Sequence, residues 1–126
     1  MKNRIIYAAA SIGVLFMFAY YSSNAAYCSF DLPPSEQVVV KGNQLKTRIL
    51  SCKITTNGED NNHLLNFISE YNTSVINNLI LPEGTIMSLS FNSLEGNKLT
   101  FELKENARLG ITNDSSEFIK LTCEQA

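Results

Sequence analysis

The sequence predicts an α+β domain in which one amphipathic helix packs on an antiparallel sheet, in the element order ββαββ(β)β. Segments with apolar residues at every second position lie on both sides of a central segment in which apolar residues recur every three or four positions. An N-terminal apolar run precedes these segments, and about a hundred residues after it are enough for one domain with one core.

The N-terminal run decides the compartment. Residues 5–21, IIYAAASIGVLFMFAYY, follow the basic residues Lys2 and Arg4. Seventeen residues would span roughly 25 Å as a helix, slightly less than a membrane-spanning helix needs. The run fits a cleaved signal peptide, with the Ser-Asn-Ala of residues 23–25 as cleavage site, and it also fits a retained anchor. We therefore expect residues 1–25 to be a signal peptide or membrane anchor. The rest is then periplasmic or exported, and the protein contacts the inner membrane through residues 5–21 only if the run is uncleaved.

The first elements after the run are predicted to be extended. Residues 26–36 contain two consecutive prolines and predict an extended lead-in to a single domain over residues 37–126. Within that domain, residues 38–41 and 45–56 are rich in β-branched residues and flank Gly-Asn-Gln at 42–44. The simplest interpretation is a hairpin.

The helix is predicted from Asp60 onward. Asp60 or the two following asparagines can cap its start, and Pro82 prevents its continuation. The apolar stripe recurs at spacings of four and three, at Leu64, Ile68, Tyr71, Val75 and Leu79.

Strands return after the helix. Alternating apolar residues predict one strand at Met87, Leu89 and Phe91 and another at Leu99, Phe101 and Leu103. The Glu-Gly-Asn of residues 95–97 predicts a turn that joins them as a hairpin. A short strand at 109–112, a turn at 113–116 and a strand at 118–123 complete the sheet.

Three cysteines lie beyond the run, in a compartment where disulfides persist. Cys52 shares a strand face with Leu50 and Ile54, and Cys123 shares one with other apolar residues, so both are predicted to point inward. This favours a Cys52–Cys123 bridge with Cys28 free, whereas the competing Cys28–Cys123 bridge would leave Cys52 as a buried thiol.

The charge of the exported part argues against binding of nucleic acid. Lys2 and Arg4 are two of the ten basic residues, whereas all twelve acidic residues follow the run, so the exported part carries a net charge of minus four. Its remaining basic residues are scattered, which argues against nucleic acid as a partner.

The sequence contains no catalytic motif, and we predict no enzyme, no cofactor and no metal. His63 is the only histidine, cysteines at metal-ligand spacing are absent, and no glycine-rich phosphate loop occurs. His63 is expected to be a polar surface residue near the helix start. The acidic pairs Glu59 with Asp60, and Glu102 with Glu105, are expected to be ordinary surface charge.

Two aromatic residues lie outside the predicted core pattern. Phe118 falls on the strand face opposite Ile119, and Phe30 lies in the lead-in. They are candidates for a docking surface, or for the wall of a pocket that takes a small lipophilic ligand between helix and sheet. The alternative is that Phe118 covers a sheet end and Phe30 pins the lead-in.

The C-terminal third, GNKLTFEL at residues 96–103 and FIKLTCE at 118–124, resembles the end of the periplasmic domain of ToxR-type membrane-bound transcription regulators. That resemblance implies a helix packed on an antiparallel sheet, and a disulfide that ends at a cysteine near the C-terminus. The chain differs from the family because only four residues precede the apolar run and because Cys52 comes before the predicted helix. The chain is more similar to the small companions of such regulators, of the ToxS, TcpH or FidL kind. For a companion of this kind, the resemblance implies that the chain binds and protects the periplasmic domain of a partner.

The first hypothesis is therefore a non-enzymatic exported protein of the bacterial envelope that binds and stabilises or modulates a partner protein, as a companion of a membrane-bound regulator of virulence. The alternative is a periplasmic inhibitor or immunity protein that blocks a toxin or lytic enzyme.

Overall fold

The computed structural model describes residues 26–56, 63–91 and 98–125, and in these ranges the chain is all-β. Ten strands form two antiparallel sheets. The strands are β1 (Ala26–Leu32), β2 (Gln37–Lys41), β3 (Arg48–Thr56), β4 (His63–Tyr71), β5 (Ser74–Ile76), β6 (Leu79–Leu81), β7 (Ile86–Phe91), β8 (Lys98–Leu103), β9 (Arg108–Asn113) and β10 (Ile119–Gln125).

The two sheets pack face to face as a sandwich. The six-stranded sheet has the order β1-β10-β3-β8-β5-β6, and the four-stranded sheet has the order β2-β9-β4-β7. Their inner faces share one core, in which the Phe67 and Phe101 rings lie 6.2 Å apart across the two sheets. The edge strands β1 and β2 are in contact on one side of the sandwich, so β6 and β7 are the edges on the other side.

The predicted helix is wrong, because its residues form β4, β5 and β6. Burial in β4 alternates strictly, with His63, Leu65, Phe67 and Ser69 inside. The apolar stripe was misleading because Leu64 and Ile68, among its members, lie half-buried on the outer face of the same strand. Asparagines that suggested a helix cap lie outside the described residues, and the helix is replaced by strands joined through tight turns.

Those turns depend on asparagines with positive φ. Asn72 has φ of 59°, and Asn77 and Asn78 have φ of 49° and 68°. Asn77 and Asn78 connect the paired residues Ile76 and Leu79, so β5 and β6 form a hairpin with a two-residue turn in which both central residues are left-handed. Asparagine tolerates that conformation better than most other residues do.

Both predicted hairpins are also wrong. β2 pairs with β9 in the four-stranded sheet, whereas β3 pairs with β10 and β8 in the six-stranded sheet. In the same way β7 pairs with β4, whereas β8 pairs with β3 and β5. Each connection crosses from one sheet to the other, an arrangement that the strand pattern does not distinguish from a hairpin because both put one apolar face on the core. The turn predicted at 95–97 lies outside the described residues.

The C-terminal strand pattern is confirmed. Leu99, Phe101 and Leu103 are buried on β8, while Lys98 and Thr100 are exposed on its opposite face. The short strand predicted at 109–112 is β9, and the one predicted at 118–123 is β10.

The predicted lead-in contains the first strand of the sandwich. β1 pairs with β10 along its whole length, from Ala26 opposite Gln125 to Leu32 opposite Ile119. The N-terminal apolar run lies outside the described residues. Within the described part of the chain, no helix has the length and apolar character needed to cross a membrane.

Candidate functional site

The three cysteines lie side by side in one row across neighbouring strands. Cys28 on β1 is directly opposite Cys123 on β10, and Cys123 is directly opposite Cys52 on β3. Residues that are directly opposite in an antiparallel pair project from the same face of the sheet. All three side chains therefore point to the core, with Cys123 in the centre, and we refer to them as the cysteine row.

The row contains one bond and one free thiol. Cys52 and Cys123 form a disulfide, which confirms the favoured pairing, and Cys28 is free and half-buried. The two bonded cysteines are almost completely buried, as their strand patterns predicted. The competing Cys28–Cys123 bridge is not the one present, although the register brings Cys28 equally opposite Cys123.

Arg48, the first residue of β3, contacts the cysteine row and the strands around it. Its Nε donates to Gln125 Oε1 at 2.9 Å, and its Nη1 donates to the Lys41 carbonyl at 2.6 Å. The remaining guanidinium nitrogen, Nη2, lies 3.9 Å from Cys28 Sγ. Arg48 thus links β3 to the end of β2, to β10 and to the free thiol on β1.

A second feature is the side of the sandwich formed by β6 and β7, which we call the β6–β7 edge. Leu79 and Ile80 on β6 are 53% and 70% exposed, and Ile86 at the start of β7 is 70% exposed. Along β7 the side chains of Met87, Leu89 and Phe91 are half-buried against the core. A concave site of about 120 Å³ opens between the sheets there, lined by Ile54, Asn77, Leu89, Ser90, Phe91, Lys98 and Leu99.

The β6–β7 edge lacks the usual protection of sheet edges. Natural edge strands commonly carry charges, prolines or bulges that prevent another strand from pairing with them. β6 (LIL) and β7 (IMSLSF) contain no charged residue and no proline. At the opposite side of the sandwich β1 carries Asp31 and β2 carries Lys41. Among the described strands, β7 pairs only with β4.

The structure does not bring the two predicted docking residues together. Phe30 lies on the inner face of β1 and packs against the core. Phe118 is 53% exposed just before β10 and lines a shallow depression of about 240 Å³ together with Asp31, Thr55, Thr56, Ile119 and Lys120. The predicted lipophilic pocket between helix and sheet has no counterpart, because its helix is replaced by strands.

His63 is buried and not on the surface, contrary to expectation. It is the first residue of β4 and is 2% exposed, because its side chain lies on the face of the strand that points to the core. Its Nε2 lies 3.9 Å from Glu117 Oε1, and its ring lies 5.7 Å from the Phe91 ring. The histidine therefore lies between the Glu117 carboxylate and the Phe91 ring, and not at the surface where the sequence predicted it.

Two carboxylates of the described residues pair with cations at the surface. Glu102 lies 3.8 Å from Lys104, and Glu70 lies 3.7 Å from Arg108, all at the surface. Glu59 and Asp60 lie outside the described residues. Within the described ranges no group of three histidine, cysteine or acidic side chains could hold a metal ion.

Sequence reasoning missed Asn113. It was predicted to start a turn, but its side chain is completely buried at the end of β9. Nδ2 donates to the Leu32 carbonyl at 2.8 Å and to the Glu117 carbonyl at 2.7 Å, while Oδ1 accepts from the Ser115 amide at 2.9 Å. Asn113 therefore joins the end of β1 to the connection that leads into β10. An asparagine at a strand end followed by Asp-Ser-Ser carries no signal that separates this role from a surface turn.

Comparison with known proteins assigns no family to this fold and site. No family model, no curated protein and no solved structure matches the chain.

Proposed function

We propose that this chain is a non-enzymatic exported protein of the bacterial envelope that binds a protein partner, and that it does so through the β6–β7 edge. The observation that carries the proposal is an uncharged six-residue edge strand, β7, whose inner side chains are only half-buried. An exposed, apolar edge strand is a template for pairing with another chain, and a monomeric protein normally blocks it.

The proposed mode of binding is strand addition. An extended segment of the partner pairs with the free backbone side of β7, and the backbone hydrogen bonds supply affinity. Alternate side chains of that segment face the core side, where Leu89 and Phe91 line the opening between the sheets. Specificity then depends on apolar residues at every second position of the partner segment.

The exposed side chains around β7 enlarge the surface. Leu79 and Ile80 lie on the neighbouring edge strand of the other sheet, and Ile86 begins β7 itself. Apolar area of this kind is what distinguishes the centre of a protein interface from its rim. β6 and β7 themselves carry no cation, so this edge lacks the clustered positive charge that binding of nucleic acid requires.

Both hypotheses raised by the sequence require a protein partner. A companion of a membrane-bound regulator would use the edge to hold and stabilise that regulator's periplasmic domain. If residues 5–21 remain as an anchor, the tether raises the effective concentration of the two proteins for each other. An inhibitor of a diffusing toxin would not need the anchor.

The test is a charge placed on the edge strand. Ser90 is an exposed residue of β7, and Ser29 is an exposed residue of β1, the edge strand on the other side of the sandwich. We expect Ser90→Lys to abolish binding of the envelope partner, because a lysine on an edge strand opposes strand pairing. Ser29→Lys adds the same charge at a matched position and should bind as the wild type does.

Two readouts locate the contact. A photo-crosslinking amino acid at position 90 should link to the partner, whereas the same residue at position 29 should not. Hydrogen exchange of the amides of residues 86–91 should slow when the partner binds, because strand addition engages backbone groups. Crosslinks of equal yield from both positions, or unchanged exchange in β7 with bound partner, would contradict the proposal.

A further inference from the structure

We propose that the cysteine row is a site of internal thiol–disulfide exchange, in which the thiolate of Cys28 attacks Sγ of Cys123 and displaces Cys52. This inference is independent of the β6–β7 edge. It rests on the strand order and register of the six-stranded sheet, on the burial of the three side chains and on the presence of one bond and one thiol among them.

The strand order supplies the geometry of attack. Displacement at sulfur proceeds in line, with the entering and leaving sulfur atoms on opposite sides of the sulfur that is attacked. β10 lies between β1 and β3, so Cys123 lies between Cys28 and Cys52 on the same sheet face. Directly opposite residues have Cβ atoms about 4.5–5.5 Å apart, slightly more than the roughly 3.5–4.5 Å of a disulfide, so a small shift of β1 towards β10 brings Cys28 within bonding range of Cys123.

The exchange consumes no oxidant and no reductant. Cys28 loses its proton to solvent and its sulfur forms a bond with Sγ of Cys123. The Cys52–Cys123 bond breaks, Cys52 leaves with the electron pair, and it takes up a proton. The protein contains one disulfide and one thiol both before and after the step.

Position in the sheet fits Cys28 for the attacking role. Cys28 is half-buried, whereas Cys52 and Cys123 are 1% and 0% exposed. In the described part of the six-stranded sheet, β1 is an edge strand that pairs with β10 alone. Edge strands move more readily than central ones, so β1 can bring its sulfur closer without disturbing β3. Nη2 of the Arg48 guanidinium lies 3.9 Å from Cys28 Sγ, so Arg48 contacts the sulfur atom that attacks.

The exchange moves a covalent bond from the middle of the sheet to its edge. Before the step, β10 is bonded to β3, and β1 is held by strand pairing and side-chain contacts without a covalent cross-link. After it, β10 is bonded to β1, the strand that directly follows residues 1–25, and Cys52 becomes a buried thiol. Whether a covalent cross-link fastens β1 to the rest of the sheet therefore depends on which isomer is present.

The register also excludes one product. Cys28 and Cys52 are separated by the whole of β10, and two strand spacings amount to about 10 Å. That separation is too long for a disulfide. Exchange within the folded sheet therefore gives Cys28–Cys123 and never Cys28–Cys52, whereas scrambling of unfolded chains gives all three pairs.

The experiment uses the full chain, recovered from its native compartment and freed of reductant. Samples are incubated without oxygen at pH 7, 8 and 9, quenched by acid, alkylated and digested with trypsin. Cleavage after Arg48 and Lys53 isolates Cys52 in residues 49–53, cleavage after Lys120 isolates Cys123, and cleavage after Lys41 isolates Cys28. Mass analysis therefore distinguishes every pair.

We expect the fraction of Cys28–Cys123 bridge and of alkylated Cys52 to rise together, and to rise faster at higher pH, because the thiolate is the attacking species. Cys28→Ser should abolish alkylation of Cys52 completely. Cys52→Ser should form a Cys28–Cys123 bridge when oxidised, and Cys123→Ser should form no Cys28–Cys52 bridge.

Three results would overturn the proposal. One is a wild-type protein whose Cys52–Cys123 bond persists at pH 9 while Cys28 is fully alkylated. Another is a Cys52→Ser variant, shown by circular dichroism to keep the wild-type β signal, that leaves both remaining thiols free on oxidation. The third is the appearance of Cys28–Cys52 in the same yield as Cys28–Cys123, which would assign the exchange to unfolded chains.

Discussion

At the scale of single residues, the buried polar side chains hold together parts of the chain that are far apart in sequence. Asn113 makes three hydrogen bonds from a completely buried position and joins β1, β9 and the connection to β10. A buried polar group that loses its partner costs more free energy than the bond itself contributed. Asn113 is therefore a point at which a change of one side chain affects both sheets.

We predict that Asn113→Ala lowers the free energy of unfolding by about 2 to 3 kcal/mol, since it leaves the carbonyls of Leu32 and Glu117 and the amide of Ser115 without that partner. Urea denaturation followed by circular dichroism measures the change. Asp114→Ala is the matched control because Asp114 is the next residue and exposed, and it should stay within about 0.5 kcal/mol of wild type. Equal loss in both variants would contradict this role of Asn113.

At the scale of elements, the β5–β6 hairpin depends on its turn. Asn77 and Asn78 both have positive φ, and Asn77 is also bound to β8, since its amide donates to the Thr100 carbonyl and its Oδ1 accepts from the Thr100 amide, both at 2.9 Å. Asn78 is the exposed second residue of the turn, so substitutions there test the conformational preference of the turn.

We predict that Asn78→Ala destabilises the protein by about 1 kcal/mol, because alanine enters the left-handed region less readily than asparagine. Asn78→Gly should leave stability equal or slightly higher, since glycine at the second position suits this turn. The urea midpoints of the two variants give the comparison. If the alanine variant were as stable as the glycine variant, the turn geometry would not limit the hairpin.

The strands themselves were partly predictable. β8 could be derived from its alternating residues because Leu99, Phe101 and Leu103 bury one face and only polar residues occupy the other. β4 could not, because Leu64 and Ile68 add apolar residues to its outer face, and spacings of three and four then fit a helix equally well. β4 is a strand because it pairs with β9 on one side and with β7 on the other. The local sequence pattern does not contain this information.

Sheet membership was less predictable than strand position. Alternation tells which residues of β2, β3, β7 and β8 face the core, but a residue that faces the core of a sandwich can belong to either sheet. The cysteines were the exception. The alternation of apolar residues correctly predicted that Cys52 and Cys123 point to the core. Only the register of β1 with β10 revealed that Cys28 lies in the same row.

At the scale of the whole molecule, the disulfide joins strands from distant parts of the chain. Cys52 and Cys123 are 71 positions apart. A bond that closes so long a loop restricts the unfolded chain strongly, on the order of 4 kcal/mol in the chain-entropy model. For a domain of this size that is a large share of the total stability.

We predict that Cys123→Ala, which permits neither bridge to β10, lowers the free energy of unfolding by about 4 kcal/mol. Cys28→Ala keeps the Cys52–Cys123 bond and should change stability by less than about 1 kcal/mol, since Cys28 is only half-buried. Thermal and urea unfolding without reductant measure both variants. A Cys123→Ala protein as stable as wild type would show that the bond contributes little to the folded domain.

The pairing of β1 with β10 determines when the protein can fold during its synthesis. β1 is the first strand that the ribosome makes, and the strand that pairs with it ends at residue 125. The six-stranded sheet therefore cannot be completed, and the Cys52–Cys123 disulfide cannot form, until nearly the entire chain has been synthesised. Until residue 125 has been added, β1 has no strand to pair with, so this sheet is completed after nearly all of the chain has been made and not during its synthesis.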